Sequence, residues 1–95
     1  MKIIIQSPDF KAQQELTDFV NEKVEKLAQF SDRIIESRVL LKLDRSENKE
    51  NKVSEIRVVI PGNDLFATKQ AKSFEEATTK AVDALKKQIE EWKMK

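Results

Sequence analysis

The sequence predicts a two-layer α+β fold of order β-α-β-β-β-α, a four-stranded mixed sheet with both helices on one face. Two stretches free of Gly and Pro carry apolar residues at helical three-four spacing, and two others alternate apolar and polar residues with period two. Each helix then has a single apolar stripe to bury, and each strand a single apolar face, so packing both helices on one side of the sheet satisfies them all.

The first strand is read over residues 2–6, where Ile3, Ile4 and Ile5 supply β-branched side chains before a Ser7-Pro8-Asp9 turn. A helix follows over residues 11–30, its stripe formed by Leu16, Phe19, Val20, Val24 and Leu27. Ser31-Asp32-Arg33 breaks it. In the next strand Ile35, Val39, Leu41 and Leu43 alternate with Glu36, Arg38, Leu40 and Lys42. Residues 44–52 are wholly polar and predict a mobile hairpin loop. In the strand over 53–60, Ile56, Val58 and Ile60 share one face and Glu55, Arg57 and Val59 the other. Pro61-Gly62-Asn63-Asp64 makes a turn, and the last strand spans 65–71. Ser73 with Glu76 three residues on is a capping box that opens the second helix. Its stripe of Phe74, Ala77, Ala81, Leu85, Ile89 and Trp92 runs nearly to the C-terminus.

This order predicts a common core of Leu16, Val20, Leu27, Val39, Leu41, Ile56, Val58, Ala81, Leu85 and Ile89, within a single domain spanning residues 1–95. A chain of 95 residues suffices for one such core. The opposite sheet face is predicted to be solvated and to carry Arg38, Leu40, Lys42 and Arg57. Phe66 is placed with them, although alternation opposite Leu65 and Ala67 leaves its face less settled.

Composition excludes much chemistry. The chain has neither His nor Cys, so the commonest general base, the thiol nucleophile and most transition-metal sites are missing. Its single glycine, Gly62, rules out a Gly-rich phosphate loop. The adjacent acids Glu75-Glu76 and Glu90-Glu91 read as solvated helix surface, with Glu76 and Asp83 supporting Lys80 and Lys87 at i,i+4. The expectation is a protein that is not an enzyme, with no cofactor, no metal and no small-molecule substrate. No apolar run approaches a membrane span, and the first six residues are too short for a signal-peptide core, so a cytoplasmic protein with no membrane partner is expected.

Charged residues make up 37% of the chain, against roughly 25% in an average soluble domain. With 18 Lys and Arg facing 17 Asp and Glu, any basic surface must arise by local sorting. At about 100° per residue, Lys80 and Lys87 share one ridge of the second helix, and Lys86 and Lys93 another. Lys23 falls inside the apolar sector of the first helix and Lys26 at its border, where lysine stems can snorkel from the core edge. By spacing alone these lysines serve solvation or phosphate binding. Trp92 continues an apolar stripe, which favours packing over base stacking.

Three stretches together resemble the ribosome hibernation-promoting factor family, also described as ribosome-associated inhibitors. They are Phe19-Val20-Asn21-Glu22-Lys23-Val24-Glu25-Lys26-Leu27 continuing to Asp32-Arg33-Ile34, then Val39-Leu40-Leu41-Lys42-Leu43, and finally Leu65-Phe66-Ala67 through Ser73-Phe74-Glu75-Glu76-Ala77 to Leu85-Lys86-Lys87-Gln88-Ile89. The resemblance implies a layout similar to double-stranded-RNA-binding domains. It also implies binding in the messenger- and transfer-RNA channel of the small ribosomal subunit, which blocks translation under stress or in stationary phase. The implied partners are the small subunit and its rRNA. The implied phosphate contacts are Lys23, Lys26 and Arg33 from the first helix region and Lys86 and Lys87 from the second, with Lys80 on the ridge of Lys87. The chain departs from the pattern at Glu90-Glu91, where the family continues with basic residues, so shape fit would carry more of the binding. It resembles the short form, without the C-terminal domain that long members use to pair ribosomes. The alternative from another class is a protein-interaction module that uses the open sheet face.

Overall fold

The computed structural model describes residues 1–45 and 49–94. Strand β1 (Lys2–Gln6) leads to helix α1 (Gln14–Glu25), which tightens into a 3₁₀ turn (Lys26–Gln29) before β2 (Glu36–Leu43). Strands β3 (Lys52–Ile60) and β4 (Asn63–Ala71) and helix α2 (Phe74–Lys93) complete the predicted order. The sheet runs β1-β2-β3-β4, with β1 parallel to β2 and the other neighbours antiparallel. A parallel pair needs a crossover, and α1 supplies it.

Register assigns the faces. The cross-strand row Ile5, Val39, Ile56 and Ala67 points to the helices, whereas the adjacent row Ile4, Arg38, Arg57 and Phe66 points away. Val20, Val24 and Leu27 from the first helical segment and Ala81, Val82, Leu85 and Ile89 from α2 close over the inner row in one apolar cluster. Both helices therefore cover the same face, as their single stripes require.

Several boundaries differ from expectation. Helix α1 begins at residue 14 rather than 11, after an extended Gln13, and Phe10 ahead of it stacks on Phe74 with centroids 4.8 Å apart and planes at 17°. Leu16 is only half-buried at the edge of the core. Ile35, predicted on the inner face of a strand, precedes β2 and is 56% exposed. Strand β4 starts two residues early because Pro61-Gly62 alone make the turn: Ile60 pairs with Asn63, and Gly62 adopts φ 85°. That positive φ is what the second corner of a Pro-Gly turn requires. The predicted mobile loop falls partly on residues 46–48, which lie outside the described residues, and its last position, Lys52, already belongs to β3.

The apolar stripe of α2 is wider than the sequence reading. Thr78 and Val82 are also buried, and the Thr78 hydroxyl donates to the buried Ser54 hydroxyl at 3.1 Å. Only one half of the capping box forms. Ser73 Oγ accepts from the Glu76 N–H at 3.1 Å, but the Glu76 carboxylate lies 3.5 Å from the Lys80 ammonium instead of returning to Ser73. Ser73→Ala is thus expected to lower stability by about 1 kcal/mol, read as a lower urea midpoint with an unchanged slope.

Candidate functional site

The six basic residues singled out by the sequence all lie on the helical layer, but they are held in different ways. Lys23 is half-buried, its ammonium 5.6 Å from the centroid of the Phe19 ring one turn earlier, so its stem covers the core edge while its head reaches water. Lys26 is exposed where α1 passes into the 3₁₀ turn, beside a shallow cleft shared with Glu22, Glu25 and Gln29. Lys80 pairs with Glu76 on the same helix face. Asp83, expected to support Lys87, lies 3.8 Å from Lys86 at i,i+3. Lys87 is exposed and makes no ion pair or ring contact among the described residues, so its charge is free to meet a ligand.

Arg33 and Lys86 each lie over an aromatic ring. The Arg33 guanidinium sits 4.9 Å from the centroid of the Trp92 ring, and the Lys86 ammonium 5.7 Å from that of Phe30. Lys93, which the motif reading left out, donates to the Phe30 carbonyl at 2.6 Å. Its i,i+7 relation to Lys86 was the available signal. Trp92 is half-buried with Arg33 over its ring, which agrees with packing rather than an open stacking surface.

The open sheet face is different. Arg38 bonds Glu36, Lys42 bonds Glu55, and Arg57 lies 3.4 Å from Asp64 while stacking 5.3 Å from the Phe66 centroid. The hydrogen bond and charge of Glu36 raise the Arg38 pKa above its ordinary value, and Glu55 does the same for Lys42. A raised lysine pKa means that the Lys42 pair stabilises the fold below the ordinary lysine range and stops doing so as pH rises through the shifted value. Each of these cations has a carboxylate partner, so this face presents little uncompensated charge. A depression of about 290 Å³ crosses it, lined by Ile4, Leu40 and Phe66 among others.

Phe66, placed on the open face by the sequence reading but less firmly than its neighbours, does lie there and is 41% exposed. Gln88, the glutamine of the Leu85-Lys86-Lys87-Gln88-Ile89 run, fixes it there. Its Nε2 donates to the Phe66 carbonyl at 2.8 Å and its Oε1 accepts from the Phe66 N–H at 3.4 Å. The amide thus completes the outward hydrogen bonds of an edge strand, where unpaired backbone invites association. Gln88→Ala is expected to destabilise by about 1 kcal/mol, visible in thermal unfolding.

No group of three or more His, Cys, Asp or Glu side chains is arranged to hold a metal ion among the described residues. No helix among them is long and apolar enough to cross a membrane.

Comparison with known proteins gives the same architecture and a family. A sequence profile of the family described as Sigma 54 modulation protein / S30EA ribosomal protein matches residues 3–95. A search of the curated proteins gives no match. The chain superposes on the crystal structure of the Thermus thermophilus Protein Y N-terminal domain with a TM-score of 0.80 and 22% identity, covering 97% of this chain and 99% of that one. A ribosomal subunit interface protein from Coxiella burnetii gives a TM-score of 0.88 and 18% identity, with 100% of both chains covered. At these identities the likeness to the two structures establishes the fold.

Proposed function

The chain belongs to the Sigma 54 modulation protein / S30EA ribosomal protein family, the ribosome hibernation family, and from that membership we propose that it binds the small ribosomal subunit and idles it. It acts without catalysis, in the cytoplasm, by occupying the channel that messenger and transfer RNA use, under stress or in stationary phase. The contacts are between rRNA phosphates and Lys23, Lys26, Arg33, Lys80, Lys86 and Lys87.

The observation that carries this reading is how individual cations are held on the two faces of the sheet. On the open face Arg38, Lys42 and Arg57 are paired with Glu36, Glu55 and Asp64. On the helical layer Lys80 and Lys86 have acidic neighbours in Glu76 and Asp83, at 3.5 and 3.8 Å, whereas Lys87 is unpaired among the described residues, and Lys23, Arg33 and Lys86 lie over aromatic rings. A ring orients a cation without cancelling its charge. A rigid surface of that kind suits structured RNA, which offers phosphates and 2′-hydroxyls rather than readable base edges.

Co-sedimentation with purified small subunits tests the reading. Lys87→Gln should weaken binding roughly five- to eightfold at about 0.1 M salt, because each phosphate contact contributes a power of about 0.7 to 0.9 in salt concentration. Lys2→Gln, on the opposite side of the fold, should leave binding unchanged. Indistinguishable behaviour of the two variants would remove the assignment of Lys87, and absence of salt-sensitive binding by the wild type would favour a protein partner on the open sheet face.

A further inference from the structure

The two edges of the sheet are finished differently. At β4 the Gln88 amide takes both outward hydrogen bonds of Phe66, near the middle of the strand, so a partner strand cannot run along that edge without displacing it. At β1 no side chain does the same. The Lys2 N–H donates to the Ile35 carbonyl, so Lys2, Ile4 and Gln6 turn their backbone groups toward β2, and those of Ile3 and Ile5 point away from the sheet. No hydrogen bond reaches these outward groups from the described residues. Ile3, Ile4 and Ile5 are each only half-buried, so the same edge leaves apolar side-chain surface in water.

We propose that β1 is a self-association edge: the β1 strands of two copies pair antiparallel about a two-fold axis at Ile4, and the two sheets become one.

The occupant follows from the strand itself, because Lys2-Ile3-Ile4-Ile5-Gln6 has nearly the same pattern read from either end. With the axis at Ile4, Ile3 of one copy lies opposite Ile5 of the other. These are the residues whose outward groups are open, so each such pair exchanges both of its hydrogen bonds. Ile4 meets its own equivalent in the non-hydrogen-bonded pair between them, on the open face, where Cβ atoms come about 4.5 to 5.5 Å apart. There it extends the apolar lining that Ile4, Leu40 and Phe66 give the depression. Lys2 falls opposite Gln6, so no like charges face each other. An axis at Ile3 would set Ile4 against Lys2, and one at Ile5 would set it against Gln6. The Ile4 register alone keeps apolar opposite apolar.

The rest of the molecule permits the pairing. A net charge of +1 gives two copies little to repel. Helix α2 packs on β3 and β4, at the other side of the sheet, so its lysines stay clear of the seam. A seam one five-residue strand wide buries less than the roughly 800 Å² per partner of a standard interface, so the dimer is a transient one.

Sedimentation equilibrium of the full chain from about 10 μM to about 1 mM, the range for a transient contact, tests the proposal. The wild-type average mass should climb toward twice that of the monomer. Ile4→Lys and Ile4→Glu each set like charges across the axis and should abolish the climb, whereas an equimolar mixture of the two should restore it. Both replace a side chain on the open face, outside the cluster beneath the helices. Hydrogen exchange of the wild type supplies a second reading that no variant can confuse: the amides of Ile3 and Ile5 should slow as concentration rises, and that of Ile4, which already serves β2, should not. A wild type of constant monomer mass would overturn the proposal. So would a climbing mass with no slowing at Ile3 and Ile5, which would place the contact elsewhere, and a mixture that stays monomeric would overturn the axis at Ile4. None of these outcomes involves the small subunit, so the function proposed above stands or falls separately.

Discussion

Truncation of Leu85 to alanine is expected to destabilise the protein by about 2 to 5 kcal/mol, the range for a fully buried Leu, and to fall in the upper half of it. Leu85 is 0% exposed, in the middle of α2, and belongs to the single cluster that joins the helices to the inner face of the sheet. The cost depends on how far the surroundings can collapse into the cavity. Here they are the pleated inner face, locked by register across four strands, and a second helix, neither of which can move inward without breaking other contacts. A small domain has about 5 to 15 kcal/mol in total, so this one change removes a large share. Leu16→Ala, at the half-buried edge of the same core, should cost distinctly less. Urea unfolding of the two variants checks the ordering, and a Leu85→Ala loss below that of Leu16→Ala would contradict the assignment of α2 as the central element. Melting α2 would also disperse Lys80, Lys86 and Lys87.

What could be read from the sequence follows from what periodicity encodes. Period-two alternation assigned faces within β2 and β3, and the inner row of Val39 and Ile56 is where the pattern puts it. The stripe of α2 was equally plain, since Ala77, Ala81, Leu85 and Ile89 repeat at helical spacing. Periodicity counts only apolar groups, so it passed over Thr78, whose hydroxyl is satisfied by Ser54 in the core, and over the buried Ser37, which donates to the Met1 sulfur at 3.1 Å. It also cannot see across elements. Arg33 with Trp92, Phe30 with Lys86 and Lys93, and Gln88 with Phe66 are pairs distant in sequence, made when the 3₁₀ turn and β4 pack beside α2. Each basic residue was legible as a member of a helix face. Which carboxylate or ring would meet it was not, and Asp83 illustrates the point: i,i+4 spacing offered Lys87, while the rotamers bring it to Lys86.

Replacing Lys23, Lys26, Arg33, Lys80, Lys86 and Lys87 together by glutamine is expected to lower small-subunit affinity by roughly 10⁴- to 10⁵-fold at about 0.1 M salt, six contacts each contributing a power of about 0.7 to 0.9. The net charge falls from +1 to −5, since six of the 18 basic residues are lost against an unchanged 17 acids. Two of the substitutions also release acids, Glu76 from Lys80 and Asp83 from Lys86, which adds repulsion toward phosphate. Folding should survive, because four of the six side chains are exposed and the other two, Lys23 and Lys86, keep most of their stem as glutamine. Circular dichroism and the urea midpoint separate lost binding from lost structure. The salt dependence decides the mechanism: the wild-type plot should be steep and that of the variant nearly flat. A folded variant that still sediments with small subunits, and with the wild-type slope, would show that these cations only solvate the helical layer. Recognition would then pass to the sheet face, where Arg38 and Arg57 are already neutralised by Glu36 and Asp64 and a salt-insensitive contact through Phe66 is what the geometry allows.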